Sequence, residues 1–297
     1  MCLSEPAYRG FPKSCSTPMA KDYTSAQGLC IANTWRILVP RNGLHAMKMG
    51  IYLEPSRGLL REVMNAHGGF AAWQRATTVR AVMSTGGVLF LMRTTRDVFR
   101  HTEVVVDLRS PHAELKEFPR AGCTGIFEPN RAWIEGQDGK VLAERDNPRA
   151  SFHGIAKQLH WDDLDSVYFA GYAVWNYITA PYLLCRNDVT SEEGASCDHK
   201  GETWRGLTTT FPESLPTHNA RQVFYFDERA YLRRHDYHAE VIGPYAVASH
   251  FCDGHQTFGK AVFPTRRRVV PRTAGGKTLP FPTLVWIQVH DAELETA

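Results

Sequence analysis

Gln222-Val223-Phe224-Tyr225-Phe226-Asp227-Glu228-Arg229-Ala230-Tyr231-Leu232-Arg233-Arg234-His235-Asp236-Tyr237-His238 reads as strand, turn, strand. Two runs rich in aromatic and β-branched residues flank a short polar break, which is the pattern of a hairpin. The same pattern continues to the C-terminus through residues 245–252, 262–270 and 283–289, and begins upstream at 203–211. Gly243-Pro244, Gly259-Lys260 and Gly275-Gly276 supply the turns. Successive strands with turn-length connections must be antiparallel neighbours, so this third of the chain is a meander and not a parallel sheet.

The N-terminal half follows suit. Residues 78–83 are β-rich and run into Gly86-Gly87, which must bend or bulge. Thr102, Val104, Val106 and Leu108 alternate with Glu103, Val105 and Asp107, the period of a strand with two unlike faces. Gly136-Gln137-Asp138-Gly139 lies between two further strand runs as a hairpin turn. Before them, Ser56 is positioned to cap a short helix bearing Leu59, Leu60, Val63 and Met64, ended by His67-Gly68-Gly69, and Phe70 and Trp73 fall on a second short turn. One long helix stands in mid-chain. Asp162, Asp163 and Asp165 place negative charge at its start and Pro181 stops it, while Val167, Tyr168, Phe169, Tyr172, Trp175 and Ile178 cover most of its circumference. Residues 186–201 read as a polar loop. The resulting expectation is an α+β chain, mainly antiparallel β: a curved meander sheet of roughly nine to eleven strands, an open half-barrel wrapping the aromatic helix.

Composition bounds the rest. The 297 residues are 43% hydrophobic and 22% charged with a formal net charge of +3, too small to point to nucleic acid as a partner. Seven cysteines, an odd number with no two separated by only two residues, suggest reduced thiols and a cytoplasmic setting. No run reads as a secretory signal or a membrane span, so no stable membrane insertion is expected. Residues 1–54, with scattered Pro and Cys, read as a disordered leader, and 55–297 as one domain with an apolar pocket.

Short helix, long meander, aromatic helix and second meander together resemble the LolA/LppX-like lipoprotein-carrier superfamily. The resemblance is carried by Phe226-Asp227-Glu228, by Leu232-Arg233-Arg234-His235-Asp236-Tyr237 and by Phe258-Gly259-Lys260-Ala261-Val262-Phe263-Pro264-Thr265. It spans residues 56–291 as topology, and it implies a strongly curved sheet closing over helices around an apolar cavity. Family carriers are exported, and the first fifty residues lack the matching signal and lipid-modified cysteine context. Export is therefore not carried over, only the pocket.

The densest chemistry lies at Arg234-His235-Asp236-Tyr237-His238, with His250, Asp253 and His255 following. Alternation puts Arg234, Asp236 and His238 on one strand face and His235 and Tyr237 on the other. Asp236 with His238 could orient and act as a general base, Arg234 could hold an anion, and the facing of His250 depends on register. A hydrogen-bonded polar outer face would use the same residues. His235 and His238 fall on opposite faces and no cysteine has ligand spacing, so no metal and no cofactor is expected. His67, at a helix end before two glycines, is a further candidate base or simply a partner of the helix dipole. Tyr168, Tyr172 and Trp175, with Tyr177, Trp204, Phe224 and Tyr231, are candidate pocket walls or ordinary core. Two functions follow. One is binding of a hydrophobic small molecule or lipid; the other is a cofactor-independent isomerase, cyclase, lyase or hydrolase with a His/Asp base in the same pocket.

Overall fold

In the computed structural model the described residues are 50–93, 99–273 and 275–296. They form thirteen antiparallel strands in one open sheet: β1 (Ala76–Gly86), β2 (Thr102–Asp107), β3 (Ala113–Lys116), β4 (Cys123–Glu128), β5 (Arg131–Gly136), β6 (Val141–Asp146), β7 (Thr190–His199), β8 (Glu202–Thr210), β9 (Arg221–Phe226), β10 (Leu232–His238), β11 (Val247–Phe258), β12 (Ala261–Pro271) and β13 (Val285–Thr296). Five α-helices accompany them: α1 (Gly58–Ala66), α2 (Phe70–Arg75), α3 (Val88–Met92), α4 (Ile155–Leu159) and α5 (Asp163–Thr179).

The strand order is β6-β5-β4-β3-β2-β1-β13-β12-β11-β10-β9-β8-β7. It is two meanders sewn together by one long-range seam, in which β1 and β13 pair from Ala76 opposite Thr296 to Gly86 opposite Trp286. The topology forces what lies between them. β6 and β7 follow one another in the chain yet stand at opposite edges of the sheet, so residues 147–189 must cross one of its faces. Helix α5, about 26 Å long at 1.5 Å per residue, makes most of that crossing. It lies on β2 to β6 at one side, while Tyr177 near its end touches His250 of β11 and Tyr237 of β10. The sheet therefore curves around the helix.

Local chemistry anchors that helix at both ends. Asp162 accepts from the Asp165 amide at 2.9 Å and the Asp162 amide donates to the Asp165 carboxylate at 3.1 Å, a reciprocal cap. Arg145 of β6 donates to both carboxylates, at 2.7 Å to Asp162 and 2.8 Å to Asp165, tying the cap to the sheet. Close approach is possible because position 171 is glycine: a Cβ there would fall 2.2 Å from Cβ of Phe127 on β4. Pro181 follows the last turn, as the sequence required.

Several expectations need adjustment. The strand count exceeds nine to eleven because the short β3 and β4 were not read, and because 186–201, read as a loop, contains β7. That strand pairs with β8 alone at the sheet edge, where an exposed polar sequence suits an unpaired flank. Ser56 does not cap α1; the Leu59 amide instead donates to Glu193 of β7 at 2.7 Å. Packed chain reaches back before Pro55, since Tyr52 stacks on Tyr182 at 4.1 Å. The expected leader otherwise lies outside the described residues.

Candidate functional site

Along α5, Phe169, Ala170, Ala173, Val174 and Tyr177 fall on one stripe, at the spacing that brings helical residues onto a common face. Two of the five are alanines. Where they stand, helix and sheet do not meet, and a cavity of about 330 Å³ remains. Met83 of β1, Val104 of β2, Val269 of β12 and Ile287 of β13 wall it from the sheet side. Helix α3 closes one flank with Leu89, Phe90 and Met92. It can do so because the chain turns at Gly87, whose φ of +132° admits only glycine comfortably, and the Leu89 amide is then held by the Leu284 carbonyl at 3.0 Å. Met92 and Tyr245 both line the cavity and are 61% and 93% exposed, which marks its mouth. A larger hollow of about 600 Å³ beside Arg75, Lys260 and Glu293 is walled by charged chains at strand ends and offers no such apolar enclosure.

One end of the cavity is polar. Tyr177, His218 and Tyr237 line it and are all buried. The Tyr177 hydroxyl lies 2.7 Å from Nε2 of His218 and 2.9 Å from the Tyr237 hydroxyl, and Nδ1 of His218 lies 3.1 Å from the Tyr172 hydroxyl. The imidazole is stacked flat on Tyr237 at 3.9 Å, which fixes its plane. Burial, aided by the Arg149 cation, holds His218 down at about 3, so the ring is neutral at ordinary pH. Burial pushes the hydroxyls of Tyr172, Tyr177 and Tyr237 up. Among the described lining residues there is no carboxylate.

The residues singled out from sequence divide between two faces of the sheet. Arg234 and Asp236 point away from the helix. They form a bidentate pair with both contacts at 2.7 Å, joined by Ser249 at 2.7 Å and by Arg272 at 3.7 Å. The guanidinium lies over the rings of Tyr225 and Phe251. His238 bonds the Gly243 carbonyl at 2.8 Å and is absent from the cavity wall. Asp236 and His238 therefore do not meet as acid and base. His250 pairs in register with His235 and faces the helix, its ring 4.4 Å from that of Tyr177. Among the described residues neither of its nitrogens has a hydrogen-bond partner, and burial holds it well below the usual histidine range.

His67 lies off the cavity, with Nδ1 2.8 Å from the Val63 carbonyl, and burial lowers it to about 4. Of the expected wall, Trp175 donates to the Asp107 carbonyl at 2.9 Å and Tyr168 packs on Phe127 and Phe152, both inside the core and off the cavity. Tyr172 reaches the site only through His218. Trp204 belongs to a small cluster with Phe251 and Val270, apart from the main core. No group of three or more His, Cys, Asp or Glu among the described residues is placed to hold a metal ion. His218, in Pro216-Thr217-His218-Asn219, carried no periodic signal and was not read. The alanines of α5 did carry one, being small residues in an otherwise aromatic helix.

No family model matches the chain, and no curated protein sequence matches it. Solved structures similar to it include a DUF1329 family protein from Desulfovibrio piger, at 11% identity over 82% of this chain and 94% of that one, with a TM-score of 0.46. A LolA superfamily protein from Nitrosomonas europaea shares 9% identity over 80% and 93%, with a TM-score of 0.43. Lipoprotein LppX from Mycobacterium tuberculosis shares 12% over 78% and 92%, with a TM-score of 0.24. The LolA/LppX-like resemblance read from the strand–turn–strand units is met again in these structures.

Proposed function

We propose that this protein binds a hydrophobic small molecule or lipid in the cavity between α5 and the sheet. The observation that carries this reading is the cavity itself, about 330 Å³ with an almost wholly apolar wall, which falls within the size range of ligand pockets. Left dry, a void of that volume costs on the order of 8 kcal/mol at ~24 cal/mol per Å³. Water recovers little of this against a wall with few polar partners. An apolar guest recovers the lost dispersion contacts, and the exposed Met92 and Tyr245 give it a way in. The setting proposed with it is cytoplasmic, from the reduced thiols.

A cofactor-independent reaction is the second reading, supported by the Tyr177–His218–Tyr237 cluster on the same wall. Filling the cavity tests the first reading. Ala173→Phe places a ring in the empty space and should weaken binding of an environment-sensitive apolar dye at least tenfold, while the thermal midpoint holds or rises. Unchanged dye affinity in the folded variant would sink the reading.

A further inference from the structure

The polar end of the cavity has an arithmetic that fixes what it asks of a guest. Tyr172, His218, Tyr177 and Tyr237 form a linear chain of three hydrogen bonds, 3.1, 2.7 and 2.9 Å long. A neutral imidazole carries one N–H and each phenol one O–H, so four hydrogens serve three bonds. One hydrogen is left over, at one end of the chain or, where Tyr177 accepts from both neighbours, on Tyr177 itself.

If it is left on Tyr172, the stranded donor is on a side chain with no exposure, for which no other partner appears among the described residues. Buried donors without acceptors are costly and rare. The Arg149 guanidinium stands at that end, donating to the Thr217 carbonyl at 3.1 Å beside His218, and Glu240 at 3.2 Å balances it only in part. A cation there draws the Tyr172 oxygen toward itself and turns its hydrogen toward Nδ1. Tyr172 then donates to His218 and His218 Nε2–H to Tyr177, and Tyr177, polarised by the bond it accepts, donates onward to Tyr237 in preference to accepting a second time. The spare O–H is that of Tyr237, on the cavity wall.

We propose that the cavity selects an otherwise apolar molecule carrying an uncharged carbonyl oxygen, with the Tyr237 hydroxyl as its hydrogen-bond donor. This rests on the cavity-binding reading and deepens it. Two phenols and a neutral imidazole offer no countercharge at this end, and the cation on the cavity lining, Arg93, follows Met92 of the mouth, so a ketone, aldehyde or ester suits this end and a carboxylate does not. Tyr172, off the cavity, is a positioning residue, and through His218 on the wall it sets the direction in which Tyr237 donates.

The test uses three eight-carbon probes, the alkane, the methyl ketone and the carboxylate, titrated by dye displacement near neutral pH. The ketone should bind about three- to tenfold tighter than the alkane, the range of one net hydrogen bond, and the carboxylate weakest. Tyr237→Phe should bring the ratio of ketone to alkane affinity to about one, since the donor oxygen is removed. Independently of any variant, the carbonyl stretch of the bound ketone should lie at lower frequency than in hexane. Equal affinities for alkane and ketone, a preference that survives Tyr237→Phe, an unshifted carbonyl stretch, or tightest binding of the carboxylate would each overturn the carbonyl proposal while leaving the cavity reading intact. Binding of none of the three overturns both.

Discussion

The two faces of β10 solve the same problem in opposite ways. Arg234 and Asp236, 6% and 3% exposed on the outer face, keep full charges and satisfy them on each other. His235 and Tyr237, 4% exposed on the helix face, stay neutral, His235 bonded to Gln222 at 2.5 Å and Tyr237 to Tyr177 at 2.9 Å. A charged His235 would have no counterion on that face, where the neighbouring charge is the buried Arg267 cation, held against α5 by the Tyr177 carbonyl at 2.9 Å. A strand can therefore look uniformly polar in sequence and still offer one face for ionic stapling and one for a neutral guest. The outer pair holds structure; the inner set adjoins the cavity.

Acid should break the inner face first, and by the largest margin. His67 and His218 sit at about 4 and about 3, and His235 and His250 are held well below their ordinary value, in each case chiefly by burial. For a histidine depressed in the folded state, stability is complete above its unfolded value near 6.5 and is lost as pH falls from there toward the folded value. His67 and His218 should each lose about 2 kcal/mol between pH 7 and pH 5, and His235 and His250 act in the same sense. His112 works in the opposite direction: its burial is outweighed by hydrogen bonds to Glu114 and Glu128, which hold it at about 9. Urea midpoints measured across this range decide the matter, and a flat profile would mean that the buried histidines are solvated.

Breaking the outer face needs a mutation instead of a proton. Asp236→Ala leaves the buried Arg234 without its carboxylate and should cost about 3–5 kcal/mol, while affinity for an apolar probe in the folded variant stays within about twofold. A large loss of affinity would mean that the outer pair communicates with the cavity. On α5, Trp175→Ala is the corresponding core change, with an expected cost of about 3–5 kcal/mol. Calorimetry of the variant alongside Ala173→Phe separates packing from binding on two sides of one helix.

Gly171→Ala probes the seat of the helix. Its Cβ would meet Phe127 at 2.2 Å, and the shift needed should lower stability by about 1–3 kcal/mol; an unchanged thermal midpoint would show that α5 can lift freely. The smallest effect belongs to His238→Ala. It removes one hydrogen bond to the Gly243 carbonyl and should cost about 1 kcal/mol with no change in probe affinity. A strong binding defect there would return His238 to the site.

Sequence alone determined the elements whose signals are local. Alternation and turn residues marked the C-terminal strands, acidic residues and Pro181 bounded α5, and period two assigned Arg234 and Asp236 to one face and Tyr237 to the other. β7 escaped because an edge strand exposes both faces and so carries no hydrophobic alternation. Tertiary structure decided which face of β10 meets the helix, because that depends on β1 joining β13 across the whole chain and on the crossing of residues 147–189 from one sheet edge to the other. It also decided that His218, from a loop with no periodic mark, completes the polar end with Tyr177 and Tyr237. A cavity is space left between elements. Its walls can be counted in a sequence, but its position follows from how far apart helix and sheet are held, here by Gly171 close against β4 and by two alanines facing an opening that no side chain fills.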